Sequence, residues 1–330
     1  MNTKSDIIKS PLNFTGGKHK LLPQLLPLFP DDVHTFIDLF CGGCNVALNV
    51  TAQKIICNDK DEKLIGLISF FKQTTFSDLL PKIKKIIADF NLSDSNANGY
   101  DFYNCNSSSG LGNFNRNGFT ALRDKFNSLS PTDENYFLML YVLIVYSFNN
   151  QIRFNSDGEF NLPVGKRDFN IKMQNKLKSF LTALGTQSIY FINKDFSEIP
   201  PSELTEQDFV YADPPYLITC ATYNEKSWNE AEEKRLLSYL DELNENNIRF
   251  ALSNVLSTDN KTNAILQDWL TTHKNYICHH LDFSYSNSNY HKKNIAQTDE
   301  ILITNYYNNI LCERNSISLC NLEIISIRFK

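Results

Sequence analysis

The sequence has no long hydrophobic run. Its most apolar stretch, residues 137–148, is interrupted by Tyr141, Tyr146 and Ser147 and is shorter than the roughly 20 residues that a bilayer-spanning helix needs. The first ten residues also lack the apolar segment and cleavage site of a signal peptide. We therefore predict a cytoplasmic protein without membrane spans, in which residues 137–148 form a buried helix.

Closely spaced metal ligands are scarce as well. Of the eight cysteines, only Cys41 and Cys44 are close enough in sequence to suggest a redox pair or half of a zinc site. No second cysteine pair and no His-x-His element completes a set of four ligands. We therefore expect no metal and interpret the cysteines as reduced thiols without a structural role.

The chain also lacks the excess of positive charge that phosphate binding favours. Its formal net charge is -5, so overall charge neither supports nor excludes a nucleic-acid partner. Residues 112–178 carry nine basic and six acidic residues, which makes the middle of the chain its basic part. With 42% hydrophobic and 21% charged residues, the composition excludes a disordered chain.

Strand and helix signals alternate in the first third of the chain. An apolar run over residues 35–40 precedes a glycine turn at 41–44, a helical pattern over 45–50 and a second apolar run over 54–57. The second run ends just before Asp59. This order predicts the start of a doubly wound α/β sheet.

The alternation returns in the last part of the chain. A helix with leucines on one face is predicted over 229–247, and strands are predicted over residues 188–192, 208–211, 248–252, 276–283 and 300–303. Residues 67–187 do not show this alternation of strands and helices. They contain a polar stretch, the apolar helix and a loop-like Gly/Asn-rich run. We predict a discontinuous domain of residues 1–66 and 188–330 with a second domain, 67–187, inserted into it.

The glycine turn and the acids around it predict a cofactor site. Gly42 and Gly43 let the backbone approach a ligand closely, and Asp59 is placed to accept both hydroxyls of an adenosine ribose. An alternative role for Asp59 is that of a helix N-cap. Asp38 is costly to bury alone, and the ammonium group of a methionine moiety is a suitable partner.

A second glycine-rich turn spans residues 14–18. Lys18 can neutralise the methionine carboxylate or a nucleic-acid phosphate, and Phe14 can pack on the adenosine. The alternative is a tight turn with a solvated lysine.

The most specific feature is the run Asp213, Pro214, Pro215 and Tyr216, which directly follows a strand-like segment. An aromatic exocyclic amine is a poor nucleophile because its lone pair is delocalised, and hydrogen-bond acceptors favour its attack on a sulfonium methyl. Asp213 and the carbonyl of Pro214, which Pro215 restricts, would be the acceptors. Tyr216 offers a face on which a base swung out of the duplex can stack.

At these motifs the chain resembles the Dam-type DNA adenine-N6 methyltransferases, the alpha-ordered class of amino-methyltransferases. The resemblance covers most of the chain and includes the order of its motifs: residues 14–18, 38–43, 195–196 and 213–216, with 146–165 similar to the DNA-binding signature of the family. It implies a Rossmann-like methyltransferase domain with an inserted, mostly helical target-recognition domain. It also implies S-adenosylmethionine as cofactor and adenine in double-stranded DNA as substrate, reached by base flipping.

The resemblance also assigns roles to residues. It implies that Phe14, Lys18, Asp59 and Asp213 contact the cofactor, and that Asp195 and Phe196 lie beside its adenine. The chain departs from the family where Phe14 replaces a common tryptophan and where cysteines bracket the glycine turn. No motif is recognised after residue 307.

Candidate DNA contacts lie in the Gly/Asn-rich run and its surroundings. Arg153 is expected at a base edge, because arginine paired with guanine is the commonest specific contact, although a phosphate contact is an alternative. Further candidates are the base readers Asn149, Asn150 and Asn155, the backbone contacts Lys166 and Arg167, and Arg123 on a helix. Residues 291–293 are a candidate lid or phosphate clamp.

Three other functions stay open on the sequence alone. A cytosine-N4 methyltransferase uses the same chemistry but tends to carry serine in place of Asp213, and a protein-glutamine methyltransferase carries asparagine there. A nicotinamide-dependent Rossmann oxidoreductase is disfavoured because the G-x-G-x-x-G pattern is absent. We expect a monomer, either solitary or accompanied by a restriction endonuclease without forming a stable complex with it. The recognition sequence is not predicted.

Overall fold

The computed structural model describes residues 7–13, 17–219, 228–258, 261–282 and 298–307. Within these residues one sheet contains eight strands: β1 (Thr35–Asp38), β2 (Lys54–Asn58), β3 (Ile189–Ile192), β4 (Phe209–Ala212), β5 (Arg249–Thr258), β6 (Lys261–Thr262), β7 (Ile277–Leu281) and β8 (Asp299–Thr304). The strand order is β3-β2-β1-β4-β5-β8-β7, with β6 paired only to β5. The first five strands of this order are parallel, and β8 runs antiparallel between β5 and β7. The predicted doubly wound sheet is confirmed.

Helices connect and cover the strands. The α-helices of the described residues are α1 (Leu22–Leu25), α2 (Glu62–Lys72), α3 (Phe76–Asp89), α4 (Ser95–Asn98), α5 (Gly112–Asn127), α6 (Tyr136–Tyr146), α7 (Ile171–Thr186), α8 (Glu230–Glu245) and α9 (Ala264–Thr272). Side chains that accept hydrogen bonds from backbone amides start several of them, for example Asp61 at α2 and Asn229 at α8. The predicted apolar helix is α6, and the predicted leucine-lined helix is α8. None of the described helices has the length and apolar character of a membrane span.

The two faces of the sheet are covered by different parts of the chain. Side chains alternate along a strand, so Phe36 and Ile37 of β1 point to opposite faces. The face of Ile37 packs against α8 and α9. The face of Phe36 packs against the segment before β1 and the helices between β2 and β3. The result is three layers, with the sheet in the middle.

All of α2 to α7 lie between the neighbouring parallel strands β2 and β3. Their buried side chains join those of the sheet in one continuous hydrophobic core, so this mostly helical region is packed against the sheet. The division into domains at residues 67 and 187 stays a prediction.

One local expectation was wrong. The pattern over 45–50 predicted a helix, whereas only a 3-10 turn at Ala47–Asn49 forms there. The amide oxygens of Asn45 and Asn49 accept hydrogen bonds from the backbone of Ser10 and Ile8 at 3.0 and 2.8 Å. The side chains of these asparagines therefore bind the backbone of the N-terminal segment and do not lie on the surface of a helix.

Candidate active site

The segments predicted to form the active site meet where the strand order reverses. β1 continues to β2 on one side, whereas its other neighbour, β4, continues to β5 on the opposite side. Asp38 ends β1, and Asp213 follows β4 directly. In open α/β sheets ligands bind in the crevice at the carboxyl ends of such strands, so both acids lie where a ligand is expected.

The glycine turn forms one wall of this crevice. Gly42 adopts a φ of 47°, which favours glycine, and its amide donates to Oδ2 of Asp59 at 3.0 Å. A Cβ on Gly43 would lie 3.0 Å from Oγ of Ser10, so a side chain there would be in tight contact with the serine. The positive φ makes Gly42 the glycine that the backbone of the turn favours.

Asp59 holds the turn but does not cap the next helix. Its Oδ1 accepts from the amide of Asp61 at 3.0 Å, and Asp61 itself is the N-cap of α2. The N-cap alternative for Asp59 is therefore wrong. Burial raises the pKa of the Asp59 carboxyl to about 6, while the amides of Asp61 and Gly42 act in the opposite direction.

Asp38 is a buried acid whose hydrogen-bonding capacity is incomplete. Its Oδ1 has no hydrogen-bond partner among the described residues. Burial raises its pKa well above the ordinary value, and the charges of Cys44, Asp213 and Asp59 act in the same direction. A cationic ligand at this oxygen would supply the missing partner and offset part of the free-energy cost of burying the carboxylate.

Lys18 lies at the centre of a cluster of two acids and a tyrosine. Its Nζ is 2.8 Å from Oδ1 of Asp213 and 3.5 Å from Oε1 of Glu300, and it is 4.6 Å from the ring centroid of Tyr216. The side chain is almost fully buried, which excludes the alternative of a solvated lysine. Burial raises the pKa of Asp213, and the neighbouring Lys18 opposes this rise.

The hydroxyl of Tyr216 bridges two acids. It lies 2.6 Å from Oε1 of Glu300, to which it donates, and 3.1 Å from Oδ1 of Asp213. In the same run Pro214 is buried and Pro215 is exposed. The structure thus brings together three predicted residues, Lys18, Asp213 and Tyr216.

Glu300 was not predicted as a site residue. It lies in β8, and its side chain is 1% exposed. Because β8 is antiparallel to β5, its first residues reach the same edge as the carboxyl ends of the parallel strands. The available signal was an acid at the start of the apolar run 300–303, where burial is costly without a partner.

Asp195 and Phe196 follow β3 at the same edge. The Asp195 carboxylate forms two hydrogen bonds with the guanidinium of Arg235, at 2.8 and 2.9 Å, which lower its pKa to about 2. Arg235 also covers the buried Phe196 ring, at 4.5 Å. Asn193 donates to the carbonyl of Asp59 at 2.8 Å, which places this loop beside the ribose-binding candidate. The predicted contact of both residues with the cofactor adenine stays a prediction.

Residues 14–280 match the family model described as D12 class N6 adenine-specific DNA methyltransferase. The chain belongs to this family. The match confirms the resemblance seen in the motifs, and it favours adenine N6 over the cytosine-N4, protein-glutamine and nicotinamide alternatives.

Individual relatives agree with this D12 assignment. The chain is 41% identical over 309 residues to the Type II methyltransferase M.FokI of Planomicrobium okeanokoites and 40% identical over 307 residues to the modification methylase StsI of Streptococcus sanguinis. In each case 91% of this chain matches 43% of the relative, so the chain spans less than half of their length. A DNA adenine methylase of Salmonella typhi is 23% identical over 271 residues, 81% of this chain and 85% of that protein.

The predicted base reader of this D12 chain, Arg153, is exposed. Its Nε donates to Oδ1 of Asn161 at 2.8 Å, and its Nη2 donates to the Asn161 carbonyl at 3.1 Å. Asn161 and Arg123 line one surface concavity, so both predicted arginines lie near the same hollow.

The predicted asparagines differ in their hydrogen bonding. The side chain of Asn155 accepts from the amides of Asp157 and Glu159 at 3.0 and 2.8 Å, and that of Asn150 donates to carbonyls at the end of α6. These two amides shape the backbone here. The carbonyl of Asn149 accepts from Nδ2 of Asn13 at 3.1 Å.

Two contacts place the segment 147–165 near the edge of the sheet at which the parallel strands end. One is the bond between Asn13 and Asn149, and the other runs from Nζ of Lys63 to the carbonyl of Gly158, at 2.6 Å. Lys63 lies in the first turn of α2, shortly after Asp59. A duplex that contacts this segment would therefore be close to the catalytic cluster.

Lys166 and Arg167, which are predicted to contact the DNA backbone, are exposed. Lys166 and Arg167 make long hydrogen bonds to the carbonyls of Ser108 and Ser107, at 3.4 and 3.3 Å. Phe14 and residues 291–293 lie outside the described residues, so their predicted roles stay predictions.

Three cysteines meet behind the glycine turn. The Sγ atoms of Cys41, Cys44 and Cys57 all lie within 4.8 Å of one another, and all three residues are buried. Burial raises the pKa of the Cys41 and Cys57 thiols. Sequence spacing singled out only the first two, because Cys57 joins them through the pairing of β2 with β1.

Proposed function

We propose that this chain transfers a methyl group from S-adenosylmethionine to the N6 amine of adenine in double-stranded DNA, with the base swung out of the duplex. The observation that carries the proposal is the cluster of Lys18, Asp213, Tyr216 and Glu300 at the reversal of strand order, in which Asp213 alone of the four is partly exposed. The family match supports the same chemistry.

The crevice fits the cofactor. The unsatisfied Oδ1 of Asp38 suits the ammonium of the methionine moiety, and the Asp59 carboxylate suits the ribose hydroxyls. Gly42 and Gly43 admit the ligand close to the backbone. We assign Phe14 to the adenosine. When bound, S-adenosylmethionine supplies an electrophilic sulfonium methyl group.

Asp213 is the proposed acceptor for one hydrogen of the target amine. The contacts from Lys18 and Tyr216 both fall on its Oδ1, so we assign Oδ2 to the amine. Lys18 favours the ionised form, and burial makes the carboxylate a stronger acceptor. The carbonyl of Pro214 takes the second hydrogen, which favours a more tetrahedral nitrogen.

Tyr216 is the proposed stacking platform for the flipped adenine. Lys18 lies over its ring, so we place the base against the opposite face. The bridge to Glu300 and Asp213 fixes the orientation of this ring relative to the amine acceptor.

We assign target recognition to the region 67–187 and catalysis to residues 1–66 and 188–330. The helical region carries Arg123, Arg153 and the exposed bases Lys166 and Arg167, and its segment 147–165 contacts the catalytic edge. We further propose a cytoplasmic monomer that protects the site of a cognate restriction endonuclease without forming a stable complex with it.

The direct test is methyl transfer from labelled S-adenosylmethionine to duplex DNA. Analysis of the digested nucleosides is expected to show N6-methyladenine, and modification-sensitive sequencing will give the recognition site. Label in N4-methylcytosine or in protein would refute adenine specificity. Binding of NAD without binding of S-adenosylmethionine would refute the methyltransferase assignment.

A first prediction concerns Asp59. Asp59→Ala should weaken S-adenosylmethionine binding by about 1 to 3 kcal/mol, since the ribose hydroxyls lose their acceptor. Because the ligand prefers the ionised carboxylate, wild-type affinity should fall as pH drops through about 6, the pKa of Asp59. Calorimetric titrations from pH 8 to pH 5 measure both effects. The same pH dependence in Asp59→Ala would assign it to another group.

A second prediction separates base reading from phosphate contact. Arg153→Ala should cost about 1 to 3 kcal/mol on the cognate site and relax the preference at one base pair. Lys166→Ala should weaken binding to all sequences alike and reduce the salt dependence. Competition binding with every single-base variant of the site distinguishes the two. A uniform loss in Arg153→Ala would move base reading to Arg123 or the asparagines.

A further inference from the structure

The three-cysteine cluster lies outside the proposed catalytic chemistry. Cys41 and Cys44 come from the glycine turn and Cys57 from β2, so two separate segments direct their thiols to one point. Their side chains are at most 6% exposed. A weak contact of Cys41 Sγ with the carbonyl of Gly42, at 3.9 Å, is the other described interaction of these sulfurs.

The spacing suits a metal ion. With a zinc–sulfur distance near 2.3 Å, sulfurs on a tetrahedral zinc ion are separated by about 3.8 Å, which small side-chain rotations achieve from the spacing present. Three thiolates leave a fourth position open for water. Gly42, next to Cys41 in the chain, is half-buried.

The surrounding charges favour a cation. Asp38 pairs with Cys57 across the sheet, has an unsatisfied buried Oδ1, and is electrostatically close to Cys44, Asp59 and Asp213. Asp38 and Asp59 are acids next to the turn, whereas Asp213 is paired with Lys18. Cys44 also has a φ of 59°, where glycine is favoured, and this strained conformation still directs its thiol to the other two.

We propose that Cys41, Cys44 and Cys57 bind one thiophilic d10 metal ion, such as Zn²⁺. Each thiol that binds the ion releases its proton to solvent.

The test is a titration of the fully reduced chain with Cd²⁺, in which the thiolate-to-metal charge-transfer absorption reports metal binding. Wild type should show one tight equivalent. Cys44→Gly and Cys57→Ala should each weaken this site at least tenfold, and Cys278→Ala, a half-buried cysteine of β7, should leave it unchanged. Because glycine suits the backbone at residue 44, Cys44→Gly should remain folded, and circular dichroism checks this.

Absorption that persists in both Cys44→Gly and Cys57→Ala, or that is lost equally in Cys278→Ala, would overturn the site. Failure of the metal-free chain to bind S-adenosylmethionine would instead refute the proposed function and leave the metal site standing.

Discussion

Asp213→Ala is expected to lower the rate of methyl transfer by about 10² to 10⁴-fold, the range for a positioned acid–base group, while binding of duplex DNA changes little. The acceptor acts at the amine in the transition state, whereas DNA affinity arises mainly from phosphate contacts. Lys18 keeps Glu300 as a partner at 3.5 Å in this variant, so the cluster is not left with an unpaired cation. Single-turnover methylation with saturating cofactor measures the effect.

The control for Asp213→Ala is Glu203→Ala, which removes an exposed acid upstream of the same strand and should retain wild-type turnover. Asp213→Asn keeps an acceptor oxygen without the charge. Its rate of methyl transfer should lie between the rates of Asp213→Ala and Glu203→Ala. A wild-type rate in Asp213→Ala would show that the carboxylate does not act on the amine. A parallel loss of DNA affinity would show that it positions the duplex.

Glu300→Ala is expected to lower kcat by about tenfold to a hundredfold, because a small displacement of positioning groups has effects of this size. The variant removes the acceptor of the Tyr216 hydroxyl and one partner of Lys18. Glu300→Gln keeps an acceptor oxygen for Tyr216 and should recover part of the rate. Steady-state kinetics on the cognate duplex measure both variants, with Glu203→Gln as the control.

A pH profile distinguishes this positioning role from simple loss of stability. The charge of Glu300 raises the pKa of Asp213, and turnover needs Asp213 ionised. Removing that charge should lower the pKa of Asp213, so the acid limb of kcat should move to lower pH in Glu300→Gln. An unmoved acid limb with a reduced rate would mean that Glu300 acts on packing alone.

The sequence predicted the fold well because its signals are local. Apolar runs marked seven of the eight strands, and only the two-residue β6 was missed. Glycines marked the turn after β1, and the run of acid, two prolines and tyrosine marked the catalytic loop. These patterns depend on the geometry of a few consecutive residues, which sequence alone displays.

The rest depends on contacts between distant segments. Glu300 reaches the site because β8 enters the sheet antiparallel beside β5, and Cys57 joins the other thiols because β2 pairs with β1. The pairing of Asp195 with Arg235 likewise joins a loop to α8. The side-chain amides of Asn150 and Asn155 are bonded to the backbone, which the sequence does not show; that these residues read bases stays a prediction.

The ion pair between Lys18 and Glu300 joins the beginning of the described chain to its last strand. The catalytic cluster can therefore close only after β8 has been synthesised and inserted between β5 and β7. Contacts of such large sequence separation form late and slowly in folding. We expect a growing chain on the ribosome to gain its cofactor crevice before its catalytic competence, so that an incomplete chain does not modify DNA.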